Sequence, residues 1–355
     1  MKHSEYLDKL YAERKLSHAE WTTLIGSFTE ADRDYAAELA AEITKQRFGN
    51  RVFFRGLIEF SNICKNDCFY CGIRRSNADV RRYRLTESEI LDCCREGYRL
   101  GYRTFVLQSG EDGALTDSVM THLVTAIKAQ HPDCAVTLSL GERSYESYAA
   151  MFAAGADRYL LRHETANAAH YAALHPSAMS FDNRIRCLYD LKNIGYQVGC
   201  GMMVGTPHQT AETLADDMEW ICRFQPEMVG IGPFLPHCAT PFAAYPSGSR
   251  SCTLFLLSLT RIMLPDVLLP ATTALGTAAE DGYMQGVLAG CNVVMPNLSP
   301  QNVRKHYLLY DNKSGTEVTA EESFSRLKQQ MEAVGREVVT SRGDHIRFER
   351  KHSDS

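Results

Sequence analysis

From Arg51 onward, short apolar, β-rich runs alternate with amphipathic stretches whose apolar residues return every three or four positions. The runs predict strands over 52–60, 103–108, 134–140, 157–162, 197–204, 227–232, 268–272 and 292–296. Helical patterns lie between them, near 86–100, 115–130, 144–154, 179–194, 209–224, 251–264 and 279–290. Thr86 to Glu89 matches a capping box, and Gly101, Gly155, Gly195 and Gly290 stand where helices should stop. Strict strand–helix alternation is the pattern of parallel βαβ units. Eight of them predict a complete (β/α)8 barrel of the TIM type, in preference to a doubly wound open sheet, for which no dinucleotide fingerprint is present.

Residues 1–50 predict a polar-faced helical extension, with a second capping box at Ser17 to Glu20. The barrel is expected over 51–310. Over 311–355, Phe324, Leu327, Met331 and Val334 mark a C-terminal helix, followed by a polar end from His345 expected to be loose. A net charge of −5 disfavours a nucleic-acid groove, and no apolar run reaches the ~18 residues that span a bilayer. The start Met-Lys-His-Ser-Glu-Tyr lacks the layout of an export signal, so the expectation is a cytoplasmic protein with reduced thiols.

The chemistry is concentrated in Cys64, Cys68 and Cys71, spaced C-x3-C-x2-C with Tyr70 before the last and placed directly after the first strand. Three thiolates in eight residues can hold a soft metal centre. A structural zinc site wants a fourth ligand, and no second cysteine pair supplies it. A cubane iron–sulfur cluster also takes four ligands, so three cysteines leave one iron open to a small molecule. The remaining cysteines are scattered, and each is expected to behave as a small buried hydrophobe.

In a barrel of this kind the active site lies at the C-terminal strand ends, and polar residues follow every predicted strand. They include Gln108-Ser109-Gly110-Glu111-Asp112, Thr137 and Ser139, Arg162-His163-Glu164, Met203-Val204-Gly205, Thr272-Thr273 and Met295-Pro296-Asn297. Arg162 and Glu164, two apart on an extended strand, face the same side as an ion pair or as a grip on a zwitterion. His163 between them points the other way, as a structural histidine. The C-x3-C-x-aromatic-C spacing resembles the signature of radical S-adenosylmethionine (SAM) enzymes, whose open iron chelates SAM. The backbone around Ser109-Gly110-Glu111 can approach a ligand closely, Glu164 can accept from hydroxyls, and Arg184 can grip a carboxylate in a fork.

Longer motifs narrow the resemblance. Glu59-Phe60-Ser61-Asn62, Cys71-Gly72-Ile73-Arg74-Arg75-Ser76-Asn77, Leu107 to Asp112, Thr137 to Glu142, Asp157 to Thr165, Met228 to Phe234, Pro270 to Ala274 and Val294 to Asn297 are similar to the HydE family. These are the radical SAM maturases of [FeFe]-hydrogenase. The resemblance spans roughly 50–310 and implies a [4Fe-4S] cluster on Cys64, Cys68 and Cys71, shielded by Tyr70. It implies that Gln108, Ser109, Thr137, Ser139, Glu164, Arg184 and Met203 line the SAM side. Arg162, Thr272 and Thr273 are implied as a substrate-carboxylate site, with Met295 and Tyr307 closing the cavity. Also implied are an organometallic substrate delivered by the maturase HydG, assembly on HydF, and flavodoxin or ferredoxin as electron donor. Some family members hold a second cluster in the C-terminal region, but no cysteine follows Cys291 here, so a single cluster is expected. Rival readings are a methylornithine synthase or biotin synthase relative, a HydE-like enzyme with an unrelated small substrate, and a non-catalytic iron–sulfur scaffold.

Overall fold

A computed structural model describes residues 2–349. Its strands are β1 (Arg51–Phe54), β2 (Gly56–Ser61), β3 (Thr104–Ser109), β4 (Ala135–Ser139), β5 (Arg158–Leu160), β6 (Gln197–Val204), β7 (Met228–Pro233), β8 (Val293–Val294) and β9 (Glu337–Val339). All pair in parallel, in a six-stranded sheet ordered β2-β3-β4-β5-β6-β7 and a three-stranded sheet ordered β8-β1-β9. The helices between them follow the periodic segments closely, for example Glu87–Arg99, Phe181–Ile194 and Ala211–Phe224, and both predicted capping boxes form.

The seventh expected strand, 268–272, is reduced to the isolated bridges Met228↔Leu268 and Pro270↔Val293. The eighth keeps only two residues, and Leu57↔Asn297 is a further single bridge. Proline explains both losses: Pro270 and Pro296 have no N–H to donate to a ladder. The two sheets are therefore joined by bridges rather than by continuous ladders.

The parallel register sorts the side chains. Phe105, Leu107, Val136 and Leu138 point to the helices and share one core with Leu123, Val124 and Ile127. Their alternates form rows on the opposite face. One row is Leu57, Val106, Thr137 and Arg158; the next, nearer the strand ends, is Glu59, Gln108 and Ser139. The inner face is therefore unusually polar for strands buried on both sides.

The C-terminal segment closes the opposite, N-terminal end of the strands. The helix Ala320–Ala333 forms as expected and leads into β9, a strand that its short, charged sequence did not reveal. Beyond it, Asp344 accepts from the fully buried Arg158 and from Gln197, and the Arg342 carbonyl accepts from Thr104 and Arg158. His345, expected in a loose tail, is buried, with its backbone N–H on Gln197. Residues 350–355 of that expected tail lie outside the described residues. At the N-terminus, the helix His18–Ser27 packs on Ala211–Phe224, and Glu30–Phe48 packs on Arg250–Met263. No helix among the described residues is long and apolar enough to cross a membrane.

Candidate functional site

The chain leaves β2 at Ser61 and enters a loop that owes its shape to hydrogen bonds rather than to an apolar core. Arg82 donates to the carbonyls of Asn62 (2.7 Å), Ile73 (2.8 Å) and Arg74 (2.6 Å), tying the two ends of the cysteine segment together. Arg74 donates to Asp67 at 2.7 Å, and Asn62 reaches the carbonyls of Arg81 and His306. Backbone bonds from Lys65 to Glu111, Phe69 to Leu174 and Gly72 to Leu309 anchor the loop to three neighbouring segments. The result presents Cys64, Cys68 and Cys71, each half-buried, above the strand ends.

Burial pushes the Cys71 thiol up to about 12, with the neighbouring Cys64 adding to the effect. Three such thiols do not ionise together without a cation, and a bound metal reverses that balance. A single tetrahedral ion is a poor fit. Among the described residues, the trio of ligand atoms found within 4.8 Å of one another is a different one. The cysteine sulfurs stand wider apart, which suits a cluster in which each thiolate takes its own iron.

Gly110, at the end of β3, sets the depth of the cavity beside this loop. A Cβ there would lie 2.4 Å from the Ile63 carbonyl oxygen and 2.8 Å from the Cys64 Cβ. Gly110→Ala is therefore expected to push the loop away, lowering iron content and SAM turnover together, at a cost of about 1–3 kcal/mol. Gly113→Ala, which meets nothing within 4 Å, is the control. Full iron content and an unchanged rate in the Gly110 variant would refute this account of the loop.

Further into the mouth, Arg162 Nη2 stands 3.3 Å from Glu164 Oε2, and Glu164 holds a left-handed backbone (φ 66°). The contact is not a formed hydrogen bond. Arg162 Nε and Nη2, Glu164 Oε2, Thr137 Oγ1 and Thr272 Oγ1 are all buried without a hydrogen-bond partner. Buried polar atoms are rarely left so, which marks these side chains as candidates to meet a polar ligand, and Glu164 lies close enough to Tyr70 and Cys71 for its charge to act on both. A Cβ on Gly232 would meet Thr272 Oγ1 at 2.6 Å, so the glycine leaves room for that hydroxyl. His163 points away, as expected, with its Nε2 3.2 Å from Asp217 and its Nδ1 accepting from Gly201 N–H.

The other expected residues divide. Gln108 donates to the Tyr307 hydroxyl (3.3 Å), which places Tyr307 across the mouth. Met203 packs with Phe69, Tyr70 and Leu174 beside the cysteine loop. Thr273 and Met295 line a small side cavity with Asn297, Lys313 and Ser314. Ser139 shares the inner row with Gln108. Three of the expected residues already have protein partners. The Glu111 carboxylate accepts from Glu142 N–H (3.0 Å) and faces Lys65 (3.2 Å), and its carbonyl accepts from Lys65 N–H. Arg184 donates to Glu142 (2.5 Å) and to the Arg162 carbonyl (2.6 Å). Ser109 donates to the Gly110 carbonyl at 2.7 Å.

Several neighbours escaped sequence reasoning. His175 takes the Tyr70 hydroxyl at 3.1 Å, and burial pushes its own basicity down to about 3, so it meets Tyr70 as a neutral ring. Met179 Sδ lies 3.7 Å from Cys68 Sγ. Lys313 forms a buried ion pair with Glu59, which also accepts from Asn297 at 2.8 Å. His175, Met179 and Lys313 come from loops whose positions depend on long-range packing. Only Glu59 carried a signal, as a carboxylate in the middle of an apolar strand.

A model of the radical SAM superfamily matches residues 58–221. A curated relative, the [FeFe] hydrogenase maturase subunit HydE of Thermotoga maritima, is 47% identical over 276 residues, covering 78% of each chain. This chain belongs to the HydE family. It is a radical SAM enzyme of the HydE type, as the motifs around the cysteine loop led one to expect. A more distant relative, the 3-methylornithine synthase of Methanosarcina barkeri, is 28% identical over 86% of each chain. Among solved structures, methylornithine synthase (PylB) superposes with a TM-score of 0.83 at 26% identity, over 94% of this chain and 97% of its own. HydG, a maturase of the [FeFe]-hydrogenase, superposes with a TM-score of 0.80 over 99% of this chain and 78% of its own; at 16% identity this likeness concerns the fold alone.

Proposed function

We propose that this chain uses one [4Fe-4S] cluster and SAM, and that it acts as a HydE-type maturase in assembly of the [FeFe]-hydrogenase di-iron subcluster. The observation that carries the reading is the three-cysteine loop at the end of β2 in a chain of the HydE family, with Glu164 close enough to Cys71 and Tyr70 for its charge to act on both. Cys64, Cys68 and Cys71 would hold such a cluster, which would supply the electron for reductive cleavage of the SAM sulfonium bond.

The chain's own residues then have separable tasks. Cys64, Cys68 and Cys71 hold the cluster, and Tyr70, fixed by His175, screens it from water. Glu164 accepts from ribose hydroxyls, and Gln108, Ser109, Thr137 and Ser139 line the same side. Met203 offers an apolar wall. Arg184, held by Glu142, orients the SAM carboxylate, and the backbone at Gly110 and Glu111 sets how closely the ligand approaches. Arg162, with Thr272 and Thr273 on the neighbouring segment, would take a substrate carboxylate, for which a guanidinium fork is well suited. Met295 and Tyr307 close the cavity. The two sheets are read as one (β/α)8 barrel over 51–310, a reading supported by the single bridges that join them. An electron donor of the flavodoxin or ferredoxin class, a substrate from HydG and delivery to HydF complete the proposal for a cytoplasmic enzyme.

The test is anaerobic reconstitution, reduction with dithionite and assay of 5′-deoxyadenosine, alongside a maturation assay with HydG, HydF and apo-hydrogenase. Turnover of SAM with recovery of hydrogenase activity is expected. Turnover without recovery would shift the reading to a different small substrate, the methylornithine synthase-like alternative favoured by the 0.83 superposition. An iron-loaded protein that leaves SAM intact would indicate a scaffold.

A further inference from the structure

The loop after β7 and the loop after the short helix Gln301–Arg304 meet on the flank of the cysteine segment. Asp311 N–H donates to the Pro236 carbonyl (3.1 Å), and Cys238 N–H donates to the Asp311 carboxylate (2.8 Å). These two bonds bring His237, Cys238 and Asp311 together, each offering one ligand atom, all within 4.8 Å of one another. Cys238 was expected to be a small buried hydrophobe; the structure exposes it. His237 is buried, and its ring fills the space beside Gly72, where a Cβ would lie 2.2 Å from its Cδ2. Among the described residues Asp311 pairs with no lysine or arginine, and its ion-pair contact is His237 Nε2 at 3.8 Å.

We propose that His237, Cys238 and Asp311 form a binding site for a borderline divalent transition-metal ion of the zinc class, separate from the cluster cysteines and with one coordination position left open. The donor set decides the class of ion. Calcium and magnesium take oxygen ligands, whereas an imidazole, a thiolate and a carboxylate together select zinc or a neighbouring divalent ion. The geometry is close to what such an ion needs. His237 Nδ1 and Cys238 Sγ are 3.9 Å apart; tetrahedral bonds to nitrogen and sulfur set about 3.6 Å between them. The ion displaces the proton of the Cys238 thiol, which leaves to solvent, and takes the Nδ1 lone pair now accepting from Ala239 N–H at 3.1 Å. Loading the site fastens the 236–239 and 309–311 segments to each other beside Gly72, the residue that follows cluster ligand Cys71.

The test uses the full cluster-loaded chain, equilibrated anaerobically with zinc chloride, dialysed against zinc-free buffer and assayed for zinc and iron by mass spectrometry. One zinc per chain with unchanged iron is expected. Cys238→Ala and Asp311→Asn should each weaken zinc binding roughly tenfold or more, and Cys238→Ala should keep its 5′-deoxyadenosine formation. A second measurement removes interference from the cluster. With Cys64, Cys68 and Cys71 replaced by alanine, added cobalt(II) should give a thiolate-to-cobalt charge-transfer band that disappears on adding Cys238→Ala. Zinc at background in the unaltered chain overturns the proposal, as does equal zinc in the variants or a cobalt band that survives loss of Cys238.

Discussion

Cys68→Ala is expected to leave a folded chain that holds little iron and makes no 5′-deoxyadenosine. Cys68 sits at the centre of the C-x3-C-x2-C segment, and its thiol is pushed well up by burial and by Cys71. No nearby group can replace it. The neighbouring sulfur is the Met179 thioether at 3.7 Å, a weak donor that cannot become a thiolate. Folding should survive, because the loop is held by Arg82, Asn62 and Asp67 rather than by the cysteine side chains. A Cys222→Ala control, on the helix Ala211–Phe224, should keep both iron and activity. Retained SAM cleavage with full iron in the Cys68 variant would sink the assignment of the cluster to this loop. In the unaltered chain, iron should count to about four per molecule, the content of one cubane; a clear excess with a second paramagnetic signal would refute the single-cluster expectation.

Lys313→Met is expected to cost about 3–5 kcal/mol, because it strands the Glu59 carboxylate in a buried position. The two side chains are 4% and 2% exposed. Lys313 also donates to the Tyr307 carbonyl at 3.0 Å, and its ammonium lies 4.9 Å from the centre of the Tyr307 ring. The pair thus ties the segment after the short helix Gln301–Arg304 to β2 and to the tyrosine that receives Gln108. The double variant Glu59→Gln/Lys313→Met removes both charges and should recover most of the loss. Urea unfolding of the unaltered chain, the two single variants and the double variant reads the coupling directly. A Lys313→Met penalty below about 1 kcal/mol would show that the pair is effectively solvated and carries little of the fold.

Two kinds of information separate cleanly in this molecule. Local pattern carried the strand–helix alternation, because periods of two and 3.6 residues are imposed by the backbone itself and do not wait for tertiary contacts. The same holds for the capping boxes at Ser17 and Thr86, which bond within four residues, and for the cysteine spacing, which is a local ligand set. Parallel register then follows from alternation and puts Gln108, Thr137 and Ser139 on the inner face.

The remainder depended on pairings far apart in the chain. The seventh and eighth strands shrank because Pro270 and Pro296 lack a donor, a local fact whose cost appears only when a neighbouring strand asks for the bond. The burial of His345 and the ion pair of Lys313 with Glu59 join segments 148 and 254 residues apart. The His237–Cys238–Asp311 trio likewise exists only where two loops cross. The one-dimensional pattern carried the alternation of strands and helices and the spacing of the three cysteines. Tertiary structure decided which polar residues are satisfied and which are left waiting for a ligand, because hydrogen-bond partners are set by distance in space, on which a one-dimensional pattern has no hold.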